Sequence, residues 1–285
     1  MTDDWSLTKY VKYLLILVIA LFSFPLRAQL VNEMEDESKL YAESKQVNQF
    51  FRRFNGEEDE KGKRYYPADK QYRSVKLRKK YLGILFDESN SGMPNVLKAQ
   101  FVKEVLDKPE SSILNFHGAA WFSEVHTTFI VNGKAQPVIL FMELEKDHLG
   151  HKWVIYKVHA DVFEPYFVRD TTKVGRFLHP MSHELDFMNL RKAFANSDSV
   201  SQFTIKRFVP DHLSVFLFEI KKGNMKFQSV DEVKFHFFQI DSWYFELSEF
   251  NRPGYNTGWL VSNLVKLKNE AEKELLRKHL YYETQ

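Results

Sequence analysis

The sequence switches its hydrophobic period near residue 120, and this switch narrows the folds that the chain can adopt. Before it, apolar residues recur at helical spacing, and after it residues Trp121–Val131 follow a two-residue repeat. Asn132-Gly133 comes next, and this pair is the strongest short hairpin signal. The chain is therefore predicted to be an α+β protein, with helices packed on one or more curved antiparallel sheets.

The periodicity, the turn residues and the capping residues together predict the individual elements. Helices are predicted at 36–54, at 72–87, from Asn95, from Ser182 to about Ala195, from Asp211 to Gly223, and from Asn269. Strands are predicted at Trp121–Val131, 138–144, 153–162, 230–240, Trp243–Phe250 and 258–267. Pro137 predicts an edge position or a bulge. A helix followed by three strands thus occurs at 95–162 and at 211–267, which leads to the hypothesis of a tandem repeat.

This element order resembles the nuclear transport factor 2-like and cystatin-like group. The resemblance covers roughly 36–162 and 211–267, and it depends most on the Asn132-Gly133 hairpin and on the final strand led by Trp259. It implies a cone-shaped cavity between helix and sheet, but no activity, because such folds host enzymes, binding modules and scaffolds alike. The Gln-x-Val-x-Gly loop of the cystatin inhibitors is absent from the sequence.

Composition excludes several classes of function. The 285 residues contain no Cys, which excludes disulfides, thiolate metal sites and a Cys nucleophile. Forty Lys and Arg against 38 Asp and Glu leave a net charge of +2, which argues against a nucleic-acid-binding protein. The sequence has no phosphate-binding loop, nucleophile elbow, His-Glu-x-x-His pair or dinucleotide fingerprint, and no cofactor is predicted.

The first 28 residues have the layout of a secretory signal peptide. Lys9 and Lys12 precede an apolar run at 14–24, and Ala28 offers a small residue at a cleavage point. The run is shorter than the roughly 20 residues of a membrane-spanning helix. Cleavage would release the chain into a bacterial periplasm or onto the cell surface, whereas an uncleaved segment would tether it to the inner membrane.

Two units are predicted after this segment. Residues 29–170 are expected to hold a helical hairpin and a first α+β unit. Residues 171–285 are expected to hold a second α+β unit with a C-terminal helix.

The strands at 121–162 carry the first candidate catalytic residues, His126, His159 and Asp161. Histidine and aspartate in a cavity of the resembled fold could move a proton next to a carbonyl group. Strand alternation places His159 and Asp161 on the face opposite Tyr156. Tyr156 could therefore line the same cavity as His159 and Asp161 only if a bulge interrupts the strand. The alternative is that they are ordinary polar residues on a half-solvated sheet.

His179 and His183 are a candidate metal pair, since two histidines four apart on a helix can share an ion. Pro180 and the predicted cap at Ser182 put them on different backbone conformations. The alternative is that these residues begin a helix, in which the N-terminal dipole stabilises the charge of Glu184.

A basic segment at 61–80 contains Lys76, Lys79 and Lys80 and offers a candidate contact for anionic headgroups or envelope polysaccharides. A solvated helix face is the alternative.

The late hairpin is aromatic on both faces. Phe237 and Phe238 are adjacent and so point in opposite directions on a strand, and Tyr244 beside Phe245 repeats the pattern. Both faces therefore need a covering layer, which could be a helix, another sheet or a partner protein. Phe237, Phe238 and Tyr244 are candidate partner or ligand contacts.

These observations lead to a main hypothesis and two alternatives. The main hypothesis is a non-enzymatic exported envelope protein that binds another envelope protein or a small ligand. The alternatives are a small-molecule binder or lyase- or isomerase-like enzyme with a cone-shaped cavity, and a protein that contacts a membrane surface through 61–80. A cavity with a buried polar cluster beneath the Asn132-Gly133 hairpin would favour the small-molecule alternative. A filled core with an exposed aromatic patch near Tyr244 would favour the main hypothesis. The sequence predicts no oligomeric state.

Overall fold

The computed structural model describes residues 46–283, apart from positions 60, 111, 149 and 255, residues 168–190 and most of 191–210. The predicted signal segment, the helix predicted from Ser182 and the unit boundary predicted at 170 lie outside these residues and stay predictions. The described residues form two compact units. The first unit comprises 46–120 and 237–266, and the second comprises 121–236 and 267–283. No helix in the described part is both long and apolar enough to cross a membrane.

The predicted α+β class is confirmed. The strands are β1 (Trp121–Val131), β2 (Lys134–Asp147), β3 (Gly150–His159), β4 (Met225–Phe237), β5 (Trp243–Phe250) and β6 (Gly258–Lys266). They form an antiparallel sheet in the order β3-β2-β1-β4-β5-β6. The helices named below are α1 (46–55 as described), α2 (Val75–Leu82), α3 (Asn95–Asp107), α4 (Glu164–Phe167), α5 (His212–Lys222) and α6 (Glu270–Leu280). The predicted order of one helix and three strands occurs twice, as α3-β1-β2-β3 and as α5-β4-β5-β6.

Turn and capping residues end the elements where the sequence predicts. Asn132 and Gly133 both have positive φ, 51° and 78°, as a tight hairpin turn with the strand twist requires. The Asp211 side chain caps α5 by accepting a hydrogen bond from the Ser214 N–H, and Gly223 ends that helix in the left-handed region at φ 76°.

The helix predicted at 72–87 is shorter than expected, because its C-terminal residues pair with a strand instead. Helix α2 ends at Leu82, and residues 85–87 then run beside β6. The Val261 N–H donates to the Leu85 carbonyl at 2.8 Å, and the Asp87 N–H donates to the Val261 carbonyl at 3.0 Å. Apolar residues that fit a helical pattern thus form a bridge to the sheet.

Pro137 lies at a local edge, as its missing N–H requires. Strand β2 lies between β1 and β3, but its pairing with β3 begins only at Ile139. At Pro137 the strand has β1 as its partner, opposite Thr128. The absent donor therefore interrupts no ladder in this part of the strand.

The first unit has a core of stacked aromatic rings. Phe237 and Phe245 stack face to face with ring centroids 4.8 Å apart. The same face receives Phe54 from α1 and Phe101 from α3, whose centroids lie 6.1 and 5.8 Å from that of Phe245. Helices thus supply the covering layer that one face of the hairpin was predicted to need.

The second unit packs α5 against the strands. The ring of Phe216 on α5 meets the edge of Phe129 on β1 at 5.3 Å. The centroid of the Trp121 ring lies 5.5 Å from that of Trp153, two strands away on β3, and 5.9 Å from that of Phe235 on the adjacent strand β4. This packing places the N-terminus of α5 beside the end of β3, where the polar residues of the next section meet.

Candidate functional site

A cavity of about 790 Å³ opens in the second unit, between the end of β3, the start of α5 and the residues that follow α6. Its walls combine aromatic rings with titratable groups. The lining residues are Tyr156, Lys157, Val158, His159, Glu164, Phe167, Asp211, His212, Leu213, Tyr281, Tyr282 and Glu283. We call this space the histidine cavity.

A bulge in β3 brings Tyr156 and His159 to the same cavity. Lys157 pairs with Phe141 and Ile155 pairs with Met142, which leaves Tyr156 as the extra residue between two consecutive partners. One extra residue reverses the alternation of side chains along the strand. The bulge that Tyr156 and His159 need in order to line one cavity is therefore present.

Four rings stack face to face along one wall, in the order Tyr282, His159, His212 and Phe167. The centroid distances are 4.6 Å, 5.7 Å and 4.7 Å, and the interplanar angles are 13°, 15° and 13°. We call this arrangement the four-ring stack. The two imidazoles occupy its middle, so each has a ring on either side.

His212 accepts a hydrogen bond from the backbone at one ring nitrogen. It is the first residue of α5, directly after the capping residue Asp211. The Ala160 N–H donates a hydrogen bond to His212 Nδ1 at 3.2 Å, and His212 Nε2 lies 3.5 Å from Glu164 Oε1. Burial lowers the pKa of His212 below its usual value, which favours a neutral imidazole near pH 7.

His159, Glu164 and His212 also have the composition of a metal site, since one ligand atom from each lies within 4.8 Å of the others. The hydrogen bond at Nδ1 argues against this use. A neutral imidazole that accepts a hydrogen bond at Nδ1 carries its proton at Nε2. A nitrogen that binds a metal must be bare. The geometry therefore favours a His212 with its proton on Nε2, 3.5 Å from Glu164 Oε1, rather than a metal ligand.

The residues after α6 are tied to β3 at two points. The hydroxyls of Tyr156 and Tyr281 lie 2.8 Å apart, and Lys157 Nζ pairs with Glu283 Oε1 at 2.6 Å. Burial raises the pKa of both tyrosines, so they remain phenols near neutral pH. They can offer hydrogen bonds but no charge.

A buried carboxylate lies behind the cavity wall. Glu124 accepts hydrogen bonds from His126 Nε2 at 2.6 Å, from His236 Nε2 at 2.7 Å and from the Tyr282 hydroxyl at 3.1 Å. Burial alone would raise the pKa of Glu124, but the hydrogen bonds from the two histidines outweigh it and hold that pKa well below its usual range. Glu124 is thus an ionised group within the second unit.

The three catalytic candidates from the sequence occupy three different positions. His159 lines the cavity. Asp161 does not line it, but its carboxylate lies 3.1 Å from His159 Nε2 and is mostly exposed. His126 belongs to the Glu124 cluster, behind the wall.

The other candidates lie elsewhere. Phe237, Phe238 and Tyr244 are buried, with 0%, 6% and 0% of their surface exposed, so these three side chains form no surface patch. Lys76, Lys79 and Lys80 are exposed on α2. His179 and His183 lie outside the described residues.

Sequence reasoning missed Glu124, Glu164, His212, His236 and Tyr282. One signal was available for Glu124, because it is a charged residue between Phe122 and Val125 in a predicted strand. His212 follows a predicted helix cap, but a histidine at that position carries no catalytic pattern. The rest come from chain segments far apart in sequence.

Comparisons with protein-family models, with curated proteins and with solved structures found no match. The resemblance to the nuclear transport factor 2-like and cystatin-like group therefore stays a prediction. Function has to be argued from the histidine cavity itself.

Proposed function

We propose that this protein is an enzyme that binds a small carbonyl compound in the histidine cavity and transfers a proton on the carbon next to the carbonyl. The observation that carries the proposal is the His212–Glu164 pair at the cavity wall, with Nε2 and Oε1 3.5 Å apart and Nδ1 occupied by the Ala160 N–H. This proposal corresponds to the lyase- or isomerase-like alternative predicted from the sequence. Its residues are Glu164 and His212, whereas the sequence suggested His126, His159 and Asp161.

Glu164 and His212 divide the work in this proposal. The Glu164 carboxylate accepts the proton from carbon, and the electron pair of that C–H bond moves toward the carbonyl oxygen. The Nε2–H of His212 donates a hydrogen bond to that oxygen as its negative charge grows. A neutral imidazole suits this task because the acidity of its N–H is close to that of an enol. An imidazolium is a much stronger acid and matches an enol less well.

The dimensions and the lining support a small organic ligand. Small-molecule pockets measure roughly 300–1,000 Å³ and combine apolar walls with a few convergent polar groups. The histidine cavity has about 790 Å³, with aromatic walls from Phe167, Tyr281 and Tyr282. His159 and the hydroxyl of Tyr156 are additional hydrogen-bonding groups for such a ligand.

A reaction that needs no knowledge of the natural substrate tests the pair. In 5-nitrobenzisoxazole, a base removes the proton from the ring carbon next to nitrogen. The C–H electrons form the nitrile, the N–O bond breaks, and the phenolate oxygen leaves as coloured 2-cyano-4-nitrophenolate. We expect catalysis by the full chain, with Glu164→Gln losing about 100-fold or more in kcat/KM, in line with general-base catalysis.

A matched control is available on the sheet. Glu145 is exposed on β2 and does not line the histidine cavity, so Glu145→Gln should keep the wild-type rate. The proposal is wrong if the wild-type protein is no faster than an equal concentration of free imidazole and acetate, or if Glu164→Gln and Glu145→Gln have the same rate.

A further inference from the structure

The four-ring stack is anchored at its Tyr282 end. Phe167 closes it on the side of α4, and Tyr282 closes it on the other side, where its hydroxyl donates to buried Glu124 at 3.1 Å. We propose that Tyr282 is the positioning residue of the histidine cavity. It holds His159, and through His159 it holds His212 at the angle at which Nε2 faces Glu164.

The ring geometry carries the first step. Tyr282 and His159 are nearly parallel, with centroids 4.6 Å apart, and His159 in turn lies parallel to His212. An imidazole in this position can tilt only by losing contact with the ring on one side. The orientation of Tyr282 therefore limits the orientation of both histidines.

The backbone of Tyr282 carries the second step. Its φ is +56°, in the left-handed region, because it follows the C-cap residue Tyr281 and ends α6. The Tyr282 N–H donates to the His279 carbonyl at 3.1 Å, and the Glu283 N–H donates to the Lys278 carbonyl at 2.9 Å. The side chains of Tyr281 and Glu283 are also tied to Tyr156 and Lys157 on β3, so the backbone of Tyr282 is fixed on both sides.

The anchor beneath Tyr282 carries the third step. Glu124 is 4% exposed, and its two oxygens also accept hydrogen bonds from His126 and His236. The ring of His236 stacks on Phe122 at 4.8 Å, which fixes that histidine in turn. Because the two histidines hold both oxygens of Glu124, this carboxylate is a rigid acceptor for the Tyr282 hydroxyl.

Three variants of the full chain test the role of Tyr282. Tyr282→Leu removes the ring, Tyr282→Phe keeps the ring and removes the anchor, and Tyr166→Phe is a control at an exposed tyrosine on α4. The readouts are the imidazole NMR signals of His159 and His212 in the free protein, and kcat and KM for 5-nitrobenzisoxazole.

The His212 signals are the decisive NMR readout, because the loss of the Tyr282 ring current shifts the adjacent His159 signals even without movement. We expect Tyr282→Leu to move the His212 signals and to lower kcat by about 10- to 100-fold, with KM within about twofold. Tyr282→Phe should lower kcat by about 3- to 10-fold, the effect of one lost hydrogen bond. Tyr166→Phe should match the wild-type protein in both readouts. If Tyr282→Leu does not fold, Tyr282→Phe decides the question.

The consequence for rate rests on the proposed function, but the NMR readout does not, so the two can fail separately. Shifted His212 signals in Tyr282→Leu without any Glu164-dependent rate would support the positioning role and overturn the proposed function. A Glu164-dependent rate that both Tyr282 variants keep, with unmoved His212 signals, would overturn the positioning role alone.

Discussion

Each of the two units buries a charged side chain, and the two charges are satisfied in different ways. In the first unit, the guanidinium of Arg78 is fully buried and donates to the backbone carbonyls of Phe54, Pro109 and Ser112. In the second unit, the carboxylate of Glu124 accepts hydrogen bonds from the side chains of His126, His236 and Tyr282. Backbone carbonyls are held by the chain on both sides, whereas side chains can rotate.

The surroundings of the two charges differ as well. Arg78 lies beside an aromatic core, with the Phe54 ring 5.9 Å from its guanidinium carbon, and Gly56 passes so close that a methyl group there would meet Arg78 Cγ at 2.8 Å. Glu124 reaches the histidine cavity through Tyr282. The comparison teaches that a buried charge alone does not indicate function. What matters is whether its partners lead to an open space.

Arg78→Met offers the largest expected effect on this comparison. Methionine fills similar space but leaves three carbonyls without donors, each of which costs about 1–3 kcal/mol when buried. Since Pro109 is only half-buried, water can replace the lost donor at its carbonyl, and we expect a loss of about 4 kcal/mol in the free energy of unfolding, measured with urea at pH 7. Burial lowers the pKa of Arg78 only to about 10, so the native side chain is charged at this pH.

Lys79→Met is the control for Arg78→Met, because Lys79 is the exposed neighbour on the same helix. It should change the unfolding free energy by no more than about 0.5 kcal/mol. Equal losses of unfolding free energy in the two variants would contradict the structural interpretation of Arg78.

Glu124→Gln should cost about 3 kcal/mol at pH 7, since it removes one charge from a buried cluster and leaves two histidines with an amide between them. Glu145→Gln, on an exposed site of the same sheet, should cost less than about 0.5 kcal/mol. Urea unfolding of both variants at pH 7 is the measurement.

The pH dependence of the same pair of proteins sharpens the comparison. The folded pKa of Glu124 is lowered from an unfolded value of about 4.3, so its contribution to stability is complete above that value and is lost as pH falls toward the folded pKa. The stability difference between wild-type protein and Glu124→Gln should therefore shrink below about pH 4. A difference that stays constant or grows would contradict the assignment of Glu124 as the buried charge.

The smallest effect concerns two buried tyrosines. The Tyr81 hydroxyl in the first unit finds no hydrogen-bond partner among the described residues, whereas the Tyr156 hydroxyl in the second is paired with Tyr281. Tyr81→Phe should leave stability unchanged or raise it by up to about 1 kcal/mol, and Tyr156→Phe should lower it by about 1 kcal/mol. Thermal unfolding of the two variants measures the difference, and the opposite order would contradict the hydrogen-bond pattern.

Much of the fold could be predicted from local signals. The two-residue repeat, the Asn132-Gly133 turn and the Asp211 and Gly223 caps each depend on residues close in sequence, and each element forms where these signals place it. Residues 85–87 show the limit of such signals, because their pairing with β6 depends on a strand more than 170 positions away. Tertiary pairing overrides a helical pattern there.

The candidate site could be predicted only in part, for the same reason. His159 was found because it lies on a predicted strand, and the bulge that would join it to Tyr156 was stated as a condition. Glu164 and His212 meet only after β3 and α5 pack together, and no spacing along the chain encodes their 3.5 Å approach. Tyr282 carries no motif, and its position depends on a left-handed backbone that the sequence pattern does not reveal.

The central claim is that His212 presents a protonated Nε2 to the histidine cavity because Nδ1 accepts from the Ala160 N–H, and ¹⁵N NMR of the imidazole tests it directly. At pH 7 we predict a neutral ring with the proton on Nε2, a bare Nδ1, and the same pattern after addition of Zn²⁺. A ring with its proton on Nδ1, or a Zn²⁺-dependent change at Nε2, would contradict the account and point to a metal site instead.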